Sequence, residues 1–534
     1  MSHNFSQVPK VNLPRSVFDR SHGHKTTFDA GWLIPFYVDE ALPGDTFKMN
    51  ASIFARLATP VAPVMDNMFM DTFFFAVPNR LLWENWEKFN GAQDEPGDPT
   101  DYVIPQLTDA GGYSEGSLQD HLGIPTGVTN MSTNALFTRA YNLIWNEWFR
   151  DQNLQSKQTV DIDNGPDSAA DYILRRRGKR HDYFTSCLPW PQKGESVQLP
   201  LGSEAPVWGD GNVLGVQSQL SDAAGIFQGT GIGISTSTTT YKDPVGTPVG
   251  TPSPLRNDYG IGVVSKDNTT FAPASGLIAD LSDATAATIN QIRLAFQTQK
   301  MLERDARGGT RYVEIIRAHF GVQSPDFRLQ RPEYLGGGSS RVNITPVPQT
   351  SETSTTPQGT QAGYGVVASG RNSFSKSFTE HCVLIGLVCA RADLTYQQGL
   401  DRMFSRSTRY DFYWPAFAHI GEQAVLSKEI YMDDTSSDDD VFGYQERWAE
   451  YRYKPSKITG QFRSSAGTSL DYWHLSQDFA TRPLLNGDFM QENPPVDRVI
   501  AVPSEPHFIF DSYMKLTCAR PMPVYSVPGM IDHF

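Results

Sequence analysis

Apolar positions in this chain recur mostly with a period of two, in short runs broken by turn residues. From Lys25 to Val77 the runs are TTFDAGWLIPFYV, TFKMNASIFARLATP and PVMDNMFMDTFFFAVP, with the turn LPGD between the first two. Such runs predict strands. In the third, Met68, Met70, Thr72 and Phe74 alternate with Phe69, Asp71, Phe73 and Phe75. Both sets are largely apolar, which predicts an inner strand covered on both faces. Val383 to Cys389 is apolar on both faces too and reads as a central buried strand. The final third continues in strands, through FTEHCVLIGLVCARADLTY, RYDFYWPAFAHIGEQAVL and DRVIAVPSEPHFIFDSYMKLTCARPMPVYSVPGMIDHF. Its apolar, Pro-rich ending is expected to lie against another surface.

A period near 3.6 appears in three places only. NRLLWENWEKFNG sets Leu82, Trp86 and Phe89 at helical spacing, with Asn79 as N-cap and Gly91 as stop. STNALFTRAYNLIWNEWFRDQN is expected to open at Ser132 or Thr133 and to align Tyr141, Ile144, Trp145, Trp148 and Phe149 on one broad face. LSDATAATINQIRLAFQTQKMLERDARGG is expected to open near Ser282, bury Ile289, Ile292 and Phe296, and end at Gly308. The body is therefore mainly β with inserted helices.

Two stretches lose periodicity. Residues 205–280 are rich in Gly, Ser, Thr and Pro and hold only nine charges in seventy-six residues, which reads as one long surface excursion. Residues 334–374, with LGGGSS and PQTSETSTTPQGTQ, read as a second long loop. These divide the chain into 1–204, an N-terminal arm and the first part of the body; 205–280, the variable insertion; and 281–534, the rest of the body with an apolar C-terminal arm.

Composition narrows the function. Of 534 residues, 39% are hydrophobic, 12% aromatic and only 19% charged, so some apolar surface is expected to meet other subunits. A formal charge of −14 argues against a general nucleic-acid coat held by counterion release. There is no run of ~18 apolar residues for a membrane span, and MSHNFSQVPK lacks a signal peptide's apolar run, so a cytosolic site of synthesis is expected. Cys187, Cys382, Cys389 and Cys518 have no zinc spacing. Cys382 and Cys389 would lie roughly 23 Å apart in an extended run at about 3.3 Å per residue, too far for a disulfide.

Several clusters invite chemistry. His22, His24, Asp29, Asp39, Glu40 and Asp45 crowd the start, but no third His or Cys follows at metal spacing. They read as a basic arm entering the strand TTFDAGWLIPFYV, with Asp39, Glu40 and Asp45 in a solvated turn. The run Asp433 to Asp440 lacks the terminal glutamate of a calcium loop, since position twelve is Tyr444 or Gln445, and reads as a solvated loop. GTGIGIS has no helix to follow, and no nucleophile stands with an obvious base. No catalytic residue, metal site or cofactor is assigned.

The concentrated positive patch is ILRRRGKRHDYF: Arg175, Arg176, Arg177, Lys179, Arg180 and His181, followed by Tyr183, Phe184 and Trp190. Basic groups beside aromatics suit single-stranded nucleic acid. A basic loop meeting an acidic neighbour across a subunit contact explains it equally well. RGGTRY, Arg307 to Tyr312, is a weaker candidate because its glycines also fit a helix stop.

Several stretches together resemble one family, the major capsid proteins of the microviruses and specifically their gokushovirus branch. They are RSHGHKTTFDAGWLIPFYVDEALPGDTF, MDTFFFAVPNRLLWENWEKFNG, AYNLIWNEWFRDQNLQ, RRGKRHDYFTSCLPWPQKG, ERDARGGTRYVEII, HFGVQSPDFRLQRPEYLGGGS and the ending from PPVDRVIAV onward. The resemblance spans nearly the whole chain except about 205–280. It implies an eight-stranded antiparallel jelly roll with long inserted loops, building a small T=1 icosahedral virion shell around circular single-stranded DNA. It also implies that 205–280 forms a three-fold protrusion. Because a chain with fourteen excess acids cannot by itself neutralise a genome, the Arg175–His181 patch is expected to face inward. The expected partners are identical subunits, the packaged DNA, a small basic DNA-binding protein or else cellular cations to neutralise it, a minor capsid or pilot protein, and a host surface receptor. Assembly is expected in the host bacterial cytoplasm.

Two other classes fit the residues less well. A carbohydrate-binding β-sandwich would use the same aromatic strands and Thr-rich loops, but the missing signal peptide argues against it. A hydrolase would need a carboxylate pair, and Asp433 with Asp434 would point to opposite faces of a strand.

Overall fold

The computed structural model describes residues 14–93, 95–99, 101–197 and 289–525, and the backbone of four short strands between 207 and 279. Its centre is a pair of antiparallel sheets. The strands are β1 (Ser16–Asp19), β2 (His22–Phe28), β3 (Ile34–Ala41), β4 (Thr46–Leu57), β5 (Met68–Pro78), β6 (Glu333–Arg341), β7 (Asn343–Pro348), β8 (Gln361–Ser377), β9 (Cys382–Ala392) and β10 (Phe508–Arg520). One sheet runs β1-β10-β4-β8-β7, with β2 also paired to β10, and the other runs β6-β5-β9-β3. The chain changes sheet between β2 and β3, β3 and β4, β4 and β5, β6 and β7, β8 and β9, and β9 and β10, as a jelly roll requires.

Alternation explains the first sheet. In β4, Phe47, Met49, Ala51, Ile53, Ala55 and Leu57 point inward, while Lys48, Phe54 and Arg56 face solvent. In β10, Phe508, Phe510, Met514, Leu516 and Cys518 do the same. Four rings from four strands meet between the sheets: Phe36 lies 5.6 Å from Phe74 and 5.7 Å from Phe510, and Phe74 lies 5.3 Å from Phe374. Burying such side chains is worth about 1.5–3 kcal/mol each.

The second sheet is buried on both faces. Every residue of β9 is buried, and β5 lies between β6 and β9, as the two-sided apolar runs predicted. Its outer face is covered by a helical layer, where α1 (Leu136–Ile144) packs Tyr141 and Ile144 against Phe75, Val383, Ile385 and Leu387. α1 continues as one wider π turn, Trp145–Phe149. Ser132 and Thr133 lie instead in a short strand, Met131–Asn134, and Asn134 Oδ1 accepts the Leu136 N–H. NRLLWENWEKFNG forms only a 3₁₀ turn, Asn79–Leu81, and one α turn, Trp86–Phe89, with Gly91 at φ 92° ending it and no cap bond from Asn79.

Four further expectations are corrected. TTFDAGWLIPFYV is two strands in different sheets, broken at Gly31 (φ 86°), where a Cβ would sit 2.2 Å from the Glu492 carbonyl oxygen. Much of 334–374 is strand, because LGGGSS belongs to β6 and residues 361–374 to β8. A Cβ on Gly337 would lie 2.1 Å from the Thr72 carbonyl oxygen, so glycine here permits close backbone packing. RYDFYWPAF is not strand but two 3₁₀ turns, Arg409–Asp411 and Pro415–Phe417, with the strand confined to Glu422–Leu426. The helix α2 (Ile289–Arg307) ends at Gly308, yet Ile289 and Phe296 are 69% and 65% exposed and Ile292 is half-buried. Its apolar stripe is largely uncovered among the described residues. The proposed opening at Ser282 and the last nine residues of the C-terminal arm lie outside the described residues.

By compactness the chain separates into a body, Met1–Lys193 with Glu303–Phe534, and a second unit, Gly194–Leu302. In the second unit Val207–Gly209 pairs with Leu277–Ala279, and Leu214–Ser218 with Ile261–Ser265, both antiparallel. The pairs are nested in sequence, the second lying between the strands of the first.

Candidate nucleic-acid interface

The basic loop is an extended segment clamped on both sides by backbone. Leu33 donates to the Arg175 carbonyl and Arg177 to the Gly31 carbonyl on one side, while Lys179 donates to Met490 and Glu492 to Arg177 on the other. Tyr141 accepts from the Arg175 N–H and Trp145 Nε1 donates to the Arg176 carbonyl.

This placement turns most of the cations inward. Phe69, Asp71 and Phe73 project from one face of β5, and two guanidinium groups cover them. Arg391 lies 4.3 Å over Phe69 and Arg177 lies 5.1 Å over Phe73. Both bond to the Asp71 carboxylate between the rings, Arg391 Nε at 2.8 Å. Burial alone would raise the Asp71 carboxyl; the charge of Arg177, the Ser339 hydroxyl and Arg391 overcome it and hold the group below the ordinary carboxylate range.

The neighbours are similarly engaged. Arg176 stacks 4.4 Å over Trp32 and donates to Asn493 Oδ1 at 2.8 Å. Lys179 is 8% exposed, with its ammonium 4.4 Å over Phe489, and burial pulls its pKa down to about 8 against the opposing pull of Glu492 and Asp182. Arg175 is half-buried. Arg180 and His181 alone in the patch are exposed. The structure therefore divides the six candidates: Arg177 and Lys179 are engaged by partners within the fold, while Arg180 and His181 are exposed.

Beside the loop lies a cavity of about 1150 Å³. Arg177, Lys179, Arg180 and His181 line it together with Arg150, Arg307 and Arg311, so the RGGTRY segment meets the first patch. Arg311 donates to the Arg150 carbonyl at 2.6 Å and pairs with Glu314 at 3.2 Å, and Arg307 pairs with Glu422. Burial lowers Arg150, and the Arg311 charge lowers it further. The volume exceeds the ~300–1,000 Å³ usual for small-molecule sites.

The early His and Asp cluster is dispersed. His22 stacks 6.0 Å from Tyr37, Asp39 pairs with Arg20 at 2.7 Å, and Asp45 pairs with Arg520 at 3.0 Å. Asp45 is fully buried, so it is no part of a solvated turn. The run Asp433 to Asp440 is likewise less solvated than expected, because Arg482 binds Asp433 and Asp438 and the latter is buried. No signal in the sequence singled out residues 402–417, where three arginines are interleaved with aromatics and only the part from Arg409 onward falls in a predicted strand.

A family model described as "Capsid protein (F protein)" matches residues 6–530. The chain belongs to this family. It is 49% identical over 548 residues to "Capsid protein VP1" of Bdellovibrio phage phiMH2K, covering 100% of this chain and 98% of that protein. Against "Capsid protein VP1" of Chlamydia phage 1 it is 46% identical over 587 residues, covering 99% and 98%. Against that of Spiroplasma virus 4 the identity is 37% over 555 residues, covering 99% and 97%. The resemblance to gokushovirus capsid proteins read from the sequence holds across the whole length. The chain is a structural capsid subunit of the virion that assembles with copies of itself, and it is not an enzyme. Among the described residues no helix is long and apolar enough to cross a membrane.

Proposed function

We propose that this subunit builds a T=1 icosahedral shell around circular single-stranded DNA, assembled in the host bacterial cytoplasm. The observation that carries the reading is full-length kinship to phage VP1 proteins combined with a two-sheet body whose first sheet leaves large apolar groups uncovered on its outer face. Phe54, Ile509 and Tyr513 are exposed on the first sheet, and the stripe of α2 is exposed as well. Broad, self-complementary contact between copies would cover such surfaces.

A chain with charge −14 cannot itself neutralise a genome. A small basic DNA-binding protein supplies the missing cations in this reading, a minor capsid or pilot protein completes the particle, and the 205–280 excursion forms the three-fold protrusion that meets a host receptor. The exposed Arg180 and His181, with the adjoining cavity, belong to the inner surface. The test is expression of the full chain alone, followed by negative-stain microscopy. Uniform hollow spheres support the reading; monomers that persist at high concentration refute it, as does an assembled particle with Arg180 on its exterior for the inward assignment.

A further inference from the structure

The geometry points to a second surface, built from residues 401–417 and 446–457, as the place where unpaired DNA bases stack on this subunit. The inference rests on the packaging of single-stranded DNA proposed above and specifies where the subunit touches it.

The two segments are one surface. Tyr413 lies 5.7 Å from Trp448 and 6.4 Å from Tyr451, and Trp448 Nε1 donates to the Phe417 carbonyl at 2.9 Å. Rings that a folded protein would normally bury are left in solvent here: Tyr410 is 61% exposed, Trp414 46% and Tyr451 51%. Guanidinium groups stand over those rings. Arg406 is 4.3 Å from the Tyr451 centroid, and Arg409 is 5.6 Å from Tyr410 and 5.7 Å from Trp414. Trp414 Nε1 donates to the Arg409 carbonyl at 2.9 Å, which fixes the indole beside that cation.

Charge selects the occupant. The two segments hold seven basic residues against four acidic ones, in a chain with fourteen excess acids. Arg409, Arg447 and Lys454 form no ion pair within 4.0 Å among the described residues, Arg447 standing over Trp448 with its charge felt at Asp411. A second copy of an acidic chain would also find cations here, and that occupant is the alternative that the assembly readout decides. Flat rings beside these cations match the bases and phosphates of a single strand, whereas a duplex keeps its base faces stacked. The contrast with Arg177 and Lys179, which are consumed inside the fold, locates the stacking surface away from the patch most conspicuous in the sequence.

The experiment is fluorescence anisotropy of a labelled twenty-nucleotide oligo-dT with purified full-length subunits, alongside a duplex of equal length. Tyr410→Ala and Trp414→Ala are each expected to weaken single-strand binding about fivefold or more, with Trp414→Phe retaining most of it. Arg409→Gln, an exposed change that breaks no ion pair, is expected to weaken binding and reduce its salt dependence. Equal affinity of wild type, Tyr410→Ala, Trp414→Ala and Arg409→Gln overturns the inference, as does a duplex that competes as well as the single strand. Loss of particle assembly with oligonucleotide affinity unchanged identifies the surface as a subunit contact and also overturns it. Failure of the wild-type chain to form shells at all would instead strike the packaging reading, and it is scored separately by microscopy.

Discussion

Replacing Asp71 by alanine removes one carboxylate and strands two cations. The side chains of Arg177 and Arg391 are 16% and 5% exposed, and each depends on Asp71 for its closest counter-charge. Breaking a buried pair from one side costs about 3–5 kcal/mol, because the remaining charge stays desolvated. Unfolding entropy near 2.1 cal/mol/K per residue, over 534 residues, means that roughly 1.1 kcal/mol displaces the midpoint by one degree. Asp71→Ala should therefore lower Tm by roughly 3–4 °C in calorimetry of unassembled subunits. The triple change Asp71→Leu, Arg177→Met and Arg391→Met, which fills the same space without charge, should recover most of that loss. Arg177→Met alone should leave oligonucleotide affinity unaltered. An Asp71→Ala protein within 1 °C of wild type, or a triple variant no better than the single one, would refute the assignment of these groups to the scaffold.

Other outcomes follow from the same structure. Because the folded Asp71 carboxyl titrates below its unfolded value, its stabilisation is complete above about pH 4 and is lost as pH falls through the folded pKa; urea midpoints between pH 2 and 6 should show an acid limb that Asp71→Asn flattens. All four cysteines are free and buried, with Cys382 and Cys389 pushed up to about 12 by burial, so a thiol reagent at pH 8 should find none in native subunits and four after denaturation. Gly337→Ala forces a Cβ against the Thr72 carbonyl and should destabilise by about 1–3 kcal/mol or more, read from the urea midpoint. Deleting 205–280 should leave a folded body by circular dichroism while damaging particle formation or attachment; normal infectious particles would count against the protrusion.

What the sequence made legible was whatever local alternation controls. The two-sided runs of β5 and β9 announce strands inside a layered body, because only burial on both faces makes such composition soluble. The glycines of β6 carried no such signal: their role depends on how near Thr72 and residues 372–374 come, which is set by strands hundreds of residues away in β5 and nearby in β8. TTFDAGWLIPFYV looked continuous because its apolar spacing survives the break at Gly31, and the break is imposed by the Glu492 backbone. Charged residues were the least readable. Whether Asp45, Asp71 or Lys179 is solvated depends on tertiary partners such as Arg520, Arg391 and Phe489, and a linear run of cations says nothing about which way each one turns.

That internal use of cations constrains how an acidic subunit can hold a genome. Many of its arginines are committed to carboxylates, leaving Arg409, Arg447 and Lys454 as the cations of the aromatic surface that form no ion pair among the described residues. Single-strand binding loses about 0.7 in log affinity per decade of salt for each phosphate neutralised. Three such cations thus predict a slope of about −2 for subunit binding to oligo-dT, with the rest of the affinity supplied by stacking and insensitive to salt. A slope of −5 or steeper would mean that paired arginines exchange their carboxylates for phosphates, and affinity that vanishes at high salt would mean that stacking contributes nothing. With the expected shallow slope, neutralising the bulk of the packaged DNA falls to other cations, and the subunit's own share is to position bases against the wall.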